Sequence, residues 1–135
     1  MPVRQSLFAL CLISFGLDAR GICLTYDEPV ELTGIMQIRV FFAQPNYGEN
    51  PETDAREAQG VLFLDKPICT VERADSATPD EANQIEVTLV SLDGTHLRQY
   101  AGLHVAVTGI LFHAITGHHH TPLLLSLSKP PRPLQ

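Results

Sequence analysis

The chain has 135 residues, 15 of them acidic and 9 basic, for a net charge of −6. That length fits one small domain with a thin stability margin. The acidic balance excludes the basic stripe that nucleic-acid binding needs and disfavours anionic lipid surfaces, while ten prolines and nine glycines suit a turn-rich, all-β fold.

The first 21 residues read as a secretory signal peptide. Arg4 supplies a positive start, Ser6–Leu17 is apolar but too short to span a bilayer, and Ala19-Arg20-Gly21 offers small residues for cleavage after Gly21 or Ala19. A buried first strand or helix is the competing reading. Arg20-Gly21-Ile22 before Cys23 is a poor lipidation context, and no other stretch is apolar for long enough to form a membrane helix. Removing Arg4, Arg20 and Asp18 leaves 7 basic and 14 acidic residues, net −7. Cleavage also removes Cys11 and leaves Cys23 and Cys69. An even count in an exported chain reads as a disulfide, against two buried thiols or a Cys-plus-His metal site.

Val30–Phe42 is the clearest predicted strand. Val30, Leu32, Met36, Ile38, Val40 and Phe42 share one parity and Glu31, Thr33, Gln37 and Arg39 the other, which puts one face in a core. Gly34 falls on the apolar parity and marks a bulge or bend. Ala43–Gln59 is a loop by composition, with Tyr47 its only aromatic residue. Val61–Leu64 and Ile68–Val71 form a second strand interrupted near Asp65-Lys66-Pro67, Glu72–Gln84 is an acidic loop, and Ile85–Val90 is a third strand. Over Leu92–Gly102 the period changes: Thr95 can cap a short helix, Leu97 and Tyr100 lie at i and i+3, and Gly102 stands where a helix ends. His104–Ala114 and His120–Ser128 are the last two strands. Lys129–Gln135 is a proline-rich tail that should not extend a sheet.

The chain thus divides into a signal peptide (1–21), one domain (22–129) and a tail (130–135). Three strands, a short helix and two strands are the connectivity of the OB-fold, a five-stranded Greek-key barrel. The pattern Val-x-apolar-Thr-Gly-Ile-apolar occurs at Val30–Met36 and again at Val105–Leu111. In a barrel the first and fourth strands must coil, and a glycine lets them.

Several segments resemble the DUF4431 family, exported bacterial domains of unknown function: Cys23-Leu24-Thr25-Tyr26-Asp27-Glu28-Pro29, Pro45-Asn46-Tyr47, Leu64-Asp65-Lys66-Pro67-Ile68-Cys69, Val107-Thr108-Gly109, Leu111-Phe112-His113 and Thr116-Gly117-His118-His119-His120-Thr121-Pro122. The resemblance implies an exported small β-barrel with Cys23 paired to Cys69. It implies no activity. The lysozyme-inhibitor-like domains associated with some members hint at envelope protection, and no such second domain is read here.

Phe112–Pro122 holds four of the six histidines and reads as the tip of the last hairpin. On an extended strand His118 and His120 share a face, and His113 lies across the turn. Three converging imidazoles suit a divalent metal such as zinc, with water, His119, Glu49 or Asp54 in a fourth position. The competing reading is a polar tip in which Gly117 turns the chain, Thr116 and Thr121 bond the backbone, and the histidines are solvated. His96 and His104 read as surface residues, and Phe41, Phe42 and Phe112 as core or barrel-mouth residues. No nucleophile motif or phosphate loop occurs, so no catalytic residue is assigned.

In an OB-fold, ligands cross the face near the second and third strands, between the first–second and fourth–fifth loops. Tyr47, His113, His118, His119 and His120 would then border one site. Two functions follow. One is an exported, non-enzymatic binding module of the periplasm or cell exterior, inhibitor-like or metal-binding, whose acidic surface suits a basic envelope or secreted protein. The other is a small His-ligated metal-dependent hydrolase.

Overall fold

The computed structural model describes residues 22–72, 77–92 and 95–135. The signal-peptide reading lies outside them. The elements are β1 (Ile22–Thr25), β2 (Pro29–Phe42), β3 (Arg56–Val71), β4 (Glu81–Ser91), a 3-10 helix (Leu97–Tyr100), β5 (His104–His113), β6 (Leu123–Leu127) and β7 (Arg132–Pro133). Around the barrel the order is β2, β3, β4, β6, β5 and back to β2. Within the barrel every pair is antiparallel except β4 with β6. This is a closed five-stranded OB-like barrel with a short helical turn between its third and fourth strands, as the order of elements predicts. Among the described residues no helix is long and apolar enough to cross a membrane.

The repeated pattern explains the closure. β2 pairs with β5 over Pro29–Ile35 and with β3 over Gly34–Phe42, so it changes neighbour at Gly34-Ile35. β5 pairs with β2 over His104–Ile110 and with β6 over Gly109–His113, so it changes neighbour at Gly109-Ile110. The two copies also pair with each other, Val30 opposite Gly109 and Gly34 opposite Val105. At each handover three backbones crowd together. A Cβ at Gly34 would meet the Phe63 carbonyl oxygen, and one at Gly109 would meet the Ser126 carbonyl oxygen. The glycines therefore let strands approach while the sheet coils.

Inside the barrel Leu32, Met36, Leu62, Val87, Leu89, Val105, Val107, Leu111, Leu123 and Leu125 form one core. Each such side chain contributes roughly 1.5–3 kcal/mol on burial. Leu97 and Tyr100 of the 3-10 helix pack on it, and the i, i+3 spacing is the face such a helix presents. Gly102 stands at φ +80 and donates its N–H to the Met36 carbonyl at 2.7 Å.

Several sequence expectations need correction. β3 does not break at Asp65-Lys66-Pro67; it continues through a register shift between Phe63 and Ile68, which accommodates the proline. Arg56–Gln59 and Glu81–Gln84 belong to strands, not loops. The parity of β2 fails at its end, where Val40 is 59% exposed because β2 and β3 run on beyond the barrel. The helix is capped at His96, without a side-chain bond, and not at Thr95. The last strand starts at Leu123, not His120. The tail does extend the sheet: Arg132 and Pro133 pair with Ala106 and Val105 of β5, an edge position where proline is tolerated.

β1 lies parallel to β3 with Cys23 opposite Cys69, and the two are disulfide-bonded. Behind them Tyr26 is 4% exposed and bonds Thr70 Oγ1 and the Pro79 carbonyl, each at 2.8 Å. Burial raises the Tyr26 phenol above its ordinary pKa.

Candidate functional site

The hairpin joining β5 to β6 closes at its base through Ala114 N–H to the Pro122 carbonyl, 2.9 Å. A second turn, His119 N–H to the Thr116 carbonyl at 3.0 Å, puts Gly117 and His118 at its corner. Thr121 anchors the returning arm. Its hydroxyl is buried, bonds Thr88 Oγ1 at 2.7 Å and donates to the Leu123 carbonyl at 2.7 Å.

The five histidine and tyrosine residues read from the sequence separate into three environments. His113 keeps the interior parity of Val105, Val107 and Leu111. Its ring stands edge-on to Tyr26, with Nε2 2.8 Å from Glu81 Oε1 and Nδ1 2.9 Å from the Ala114 carbonyl oxygen. Both ring nitrogens are thus engaged by groups of the protein itself, away from His118 and His120.

His118 and His120 lean the other way, over the outer face of β2 and β3. His118 Nδ1 donates to the Glu57 carboxylate at 3.0 Å and His120 Nε2 at 2.6 Å. His120 is also stacked on Phe41, centroids 4.3 Å apart and nearly parallel. Burial pushes the Glu57 carboxyl up. The hydrogen bonds from His120 and His118, with the charge on both rings, outweigh that and hold it below the ordinary glutamate range.

His119 turns inward on its own loop. Its Nδ1 accepts the backbone N–H groups of Ile115 at 2.9 Å and Thr116 at 3.4 Å, and its ring meets Phe112 edge-on. Burial first, then the charges of His118 and His120, lower its pKa.

The predicted His113–His118–His120 triad is therefore not assembled. Among the described residues no three His, Cys, Asp or Glu side chains are grouped to hold a metal ion. The alternative fourth ligand Asp54 is committed to its own loop: it accepts from Gly48 N–H and Asn50 N–H, each at 3.0 Å, and from Asn46 Nδ2 at 3.1 Å. The Asn50, Asn46 and Gly48 bonds hold its carboxyl below the usual range.

That loop, between β2 and β3, delivers Tyr47. Its backbone is left-handed at φ 47, and its hydroxyl lies against the Gly117 backbone, where a side chain would collide with it. Tyr47, Gly117 and His120 line one hollow with Phe41, Phe42 and Arg56. Phe41 has His120 on one face and the Arg39 guanidinium 5.0 Å from its centroid; Arg56 lies 4.4 Å over Phe42. These rings fasten the loops to the strands and are not bare stacking platforms.

Glu57, Gln59 and Phe41 belong to the site, and sequence reading missed their part in it. Glu57 and Gln59 sit in a stretch whose composition says loop, yet they begin β3. Gln59 Nε2 donates to the His118 carbonyl at 2.7 Å, tying the hairpin to β3. Beside this tie lies a groove of about 660 Å³, between the hairpin and the 3-10 helix.

Residues 84–130 match the model of the family described as a domain of unknown function (DUF4431). The resemblance read from the sequence thus holds from β4 through β6, the histidine hairpin included. No curated protein and no solved structure matches the chain.

Proposed function

We propose that this chain is an exported, non-enzymatic binding module of the bacterial envelope, holding a ligand or protein partner beside the His-rich hairpin. The observation that carries this reading is the meeting of the β2–β3 and β5–β6 loops over one face. Tyr47 rests on Gly117, and Glu57 holds His118 and His120. Loops fastened to a rigid barrel are the usual place for recognition. A binder needs shaped, preorganised contacts; a hydrolase of the kind read from the sequence needs a His₃ centre, and His113 is committed to Glu81.

Export is supported by the charged and apolar start of the chain and by the Cys23–Cys69 bond, which persists in oxidising compartments. The surplus of acidic side chains favours a basic envelope or secreted protein as partner. The test is affinity capture from periplasmic extract with and without chelator. A discrete partner retained in both supports a metal-independent module. Hydrolytic turnover that needs an added divalent ion would overturn the reading.

A further inference from the structure

The groove between the 3-10 helix and the hairpin differs in charge from the chain as a whole. The sequence carries 15 acidic residues against 9 basic ones. None of the described residues lining the groove is acidic, while Arg98, His96, His118 and His119 all border it. Arg39 is paired with Glu86 at 2.6 Å, Arg132 reaches Glu31 at 3.9 Å, and Arg56 covers Phe42. Arg98 has no ion pair among the described residues and is exposed.

The floor carries two further features. β3 and β4 stop pairing at Gly60 and Leu89, although β3 extends back to Arg56 and β4 on to Ser91. The groove opens where they part, over Leu89, Val90 and Leu97. Gln59 lines it as well. Its Nε2 is fixed on the His118 carbonyl, and its Oε1 is shut off from solvent with no hydrogen-bond partner.

We propose that this groove binds the free C-terminal end of a peptide. The inference rests on the binding-module reading and names what that site would take. A peptide end carries a carboxylate for Arg98 and apolar side chains for the floor. A bare anion would use only the first of these, and an uncharged peptide would leave Arg98 unmatched.

The test is an NMR titration of the purified, isotopically labelled protein with N-acetyl tetra-alanine bearing a free carboxylate. The same peptide as its C-terminal amide and glucuronic acid serve as comparisons. Saturable shifts at Gln59, Gly60, Val90 and Leu97 are expected. Affinity should fall about tenfold or more for the amide and for Arg98→Gln, the loss of one charge-assisted hydrogen bond, and stay unchanged for Arg132→Gln. No saturable shift, equal binding of acid and amide, or shifts elsewhere would overturn the proposal. If glucuronic acid alone binds at these residues, the groove takes carboxylated sugars, so the peptide assignment falls and the binding module stands. If every probe fails while capture from extract succeeds, only this inference falls; if capture fails too, the module reading falls with it.

Discussion

His113 and His118 are five positions apart, each donates to a glutamate, and their surroundings differ sharply. The His113–Glu81 pair lies beneath Tyr26, with side-chain exposures of 18% and 25%. The His118 ring is 48% exposed and reaches back to a glutamate on another strand. The first pair finishes the barrel; the second positions a loop. Gly109 and Gly117 repeat the contrast, because a side chain at Gly109 would hit backbone and one at Gly117 only the tip of Tyr47. The lesson is that one hairpin holds both frame and working edge. What a residue touches separates them, not its type.

The largest effects should come from the frame. Gly109→Ala and Gly34→Ala force a Cβ into a carbonyl that cannot move alone, so each should cost roughly 3 kcal/mol or more in denaturant unfolding. A loss below about 1 kcal/mol would mean that the strands do not need this approach. Replacing both Cys23 and Cys69 by Ser should cost about 4 kcal/mol, given a sequence separation of 46. Next comes His113→Ala, which strands Glu81 beside Tyr26 and should cost about 1–3 kcal/mol. His118→Ala should cost under about 1 kcal/mol, as expected for a largely exposed pair. Equal losses for the two histidines would erase the distinction between frame and edge.

The pH dependence sharpens the same comparison. Glu57 has a folded pKa below its unfolded value, so its contribution is complete above roughly pH 4.3 and is lost as pH falls through the lower, folded value. His119 is also lowered, so the folded state favours the neutral ring. Its contribution is complete above about pH 6.5 and fades as pH drops through the folded pKa. Unfolding measured from pH 7.5 to 5 should therefore show a decline that His119→Ala reduces, and Glu57→Gln should flatten the slope only below about pH 4. A decline at pH 5–7 that His119→Ala leaves intact would contradict the tautomer assigned from its backbone contacts. The smallest effect belongs to Gly117→Ala, which displaces a flexible ring tip and should change stability by less than about 1 kcal/mol.

Much of the fold was legible because the barrel writes itself in period-two alternation and in two glycines at equivalent handovers. The site was legible only as a set of residue types. His113, His118 and His120 look equivalent in the sequence, but His113 is still on β5 with interior parity, whereas His118 and His120 precede β6 and follow the loop across to β3. Glu57 was hidden because Asn50-Pro51 and the polar residues after it resemble a loop up to Gln59, while pairing with Val40 and Phe41 makes Glu57 and Ala58 strand. Pairing of Arg132 and Pro133 with β5 is likewise set by a distant edge, not by local propensity.

The central claim is that the two loops over β3 form the working edge of the domain. The most direct test compares affinity capture by the wild-type protein with capture by a Tyr47→Ala, Glu57→Gln, His118→Ala triple variant, alongside the melting temperature of each. The account predicts a melting temperature within a few degrees of wild type, since the changes spare the core, together with loss of the captured partner. A folded variant that retains the partner at wild-type yield would contradict it.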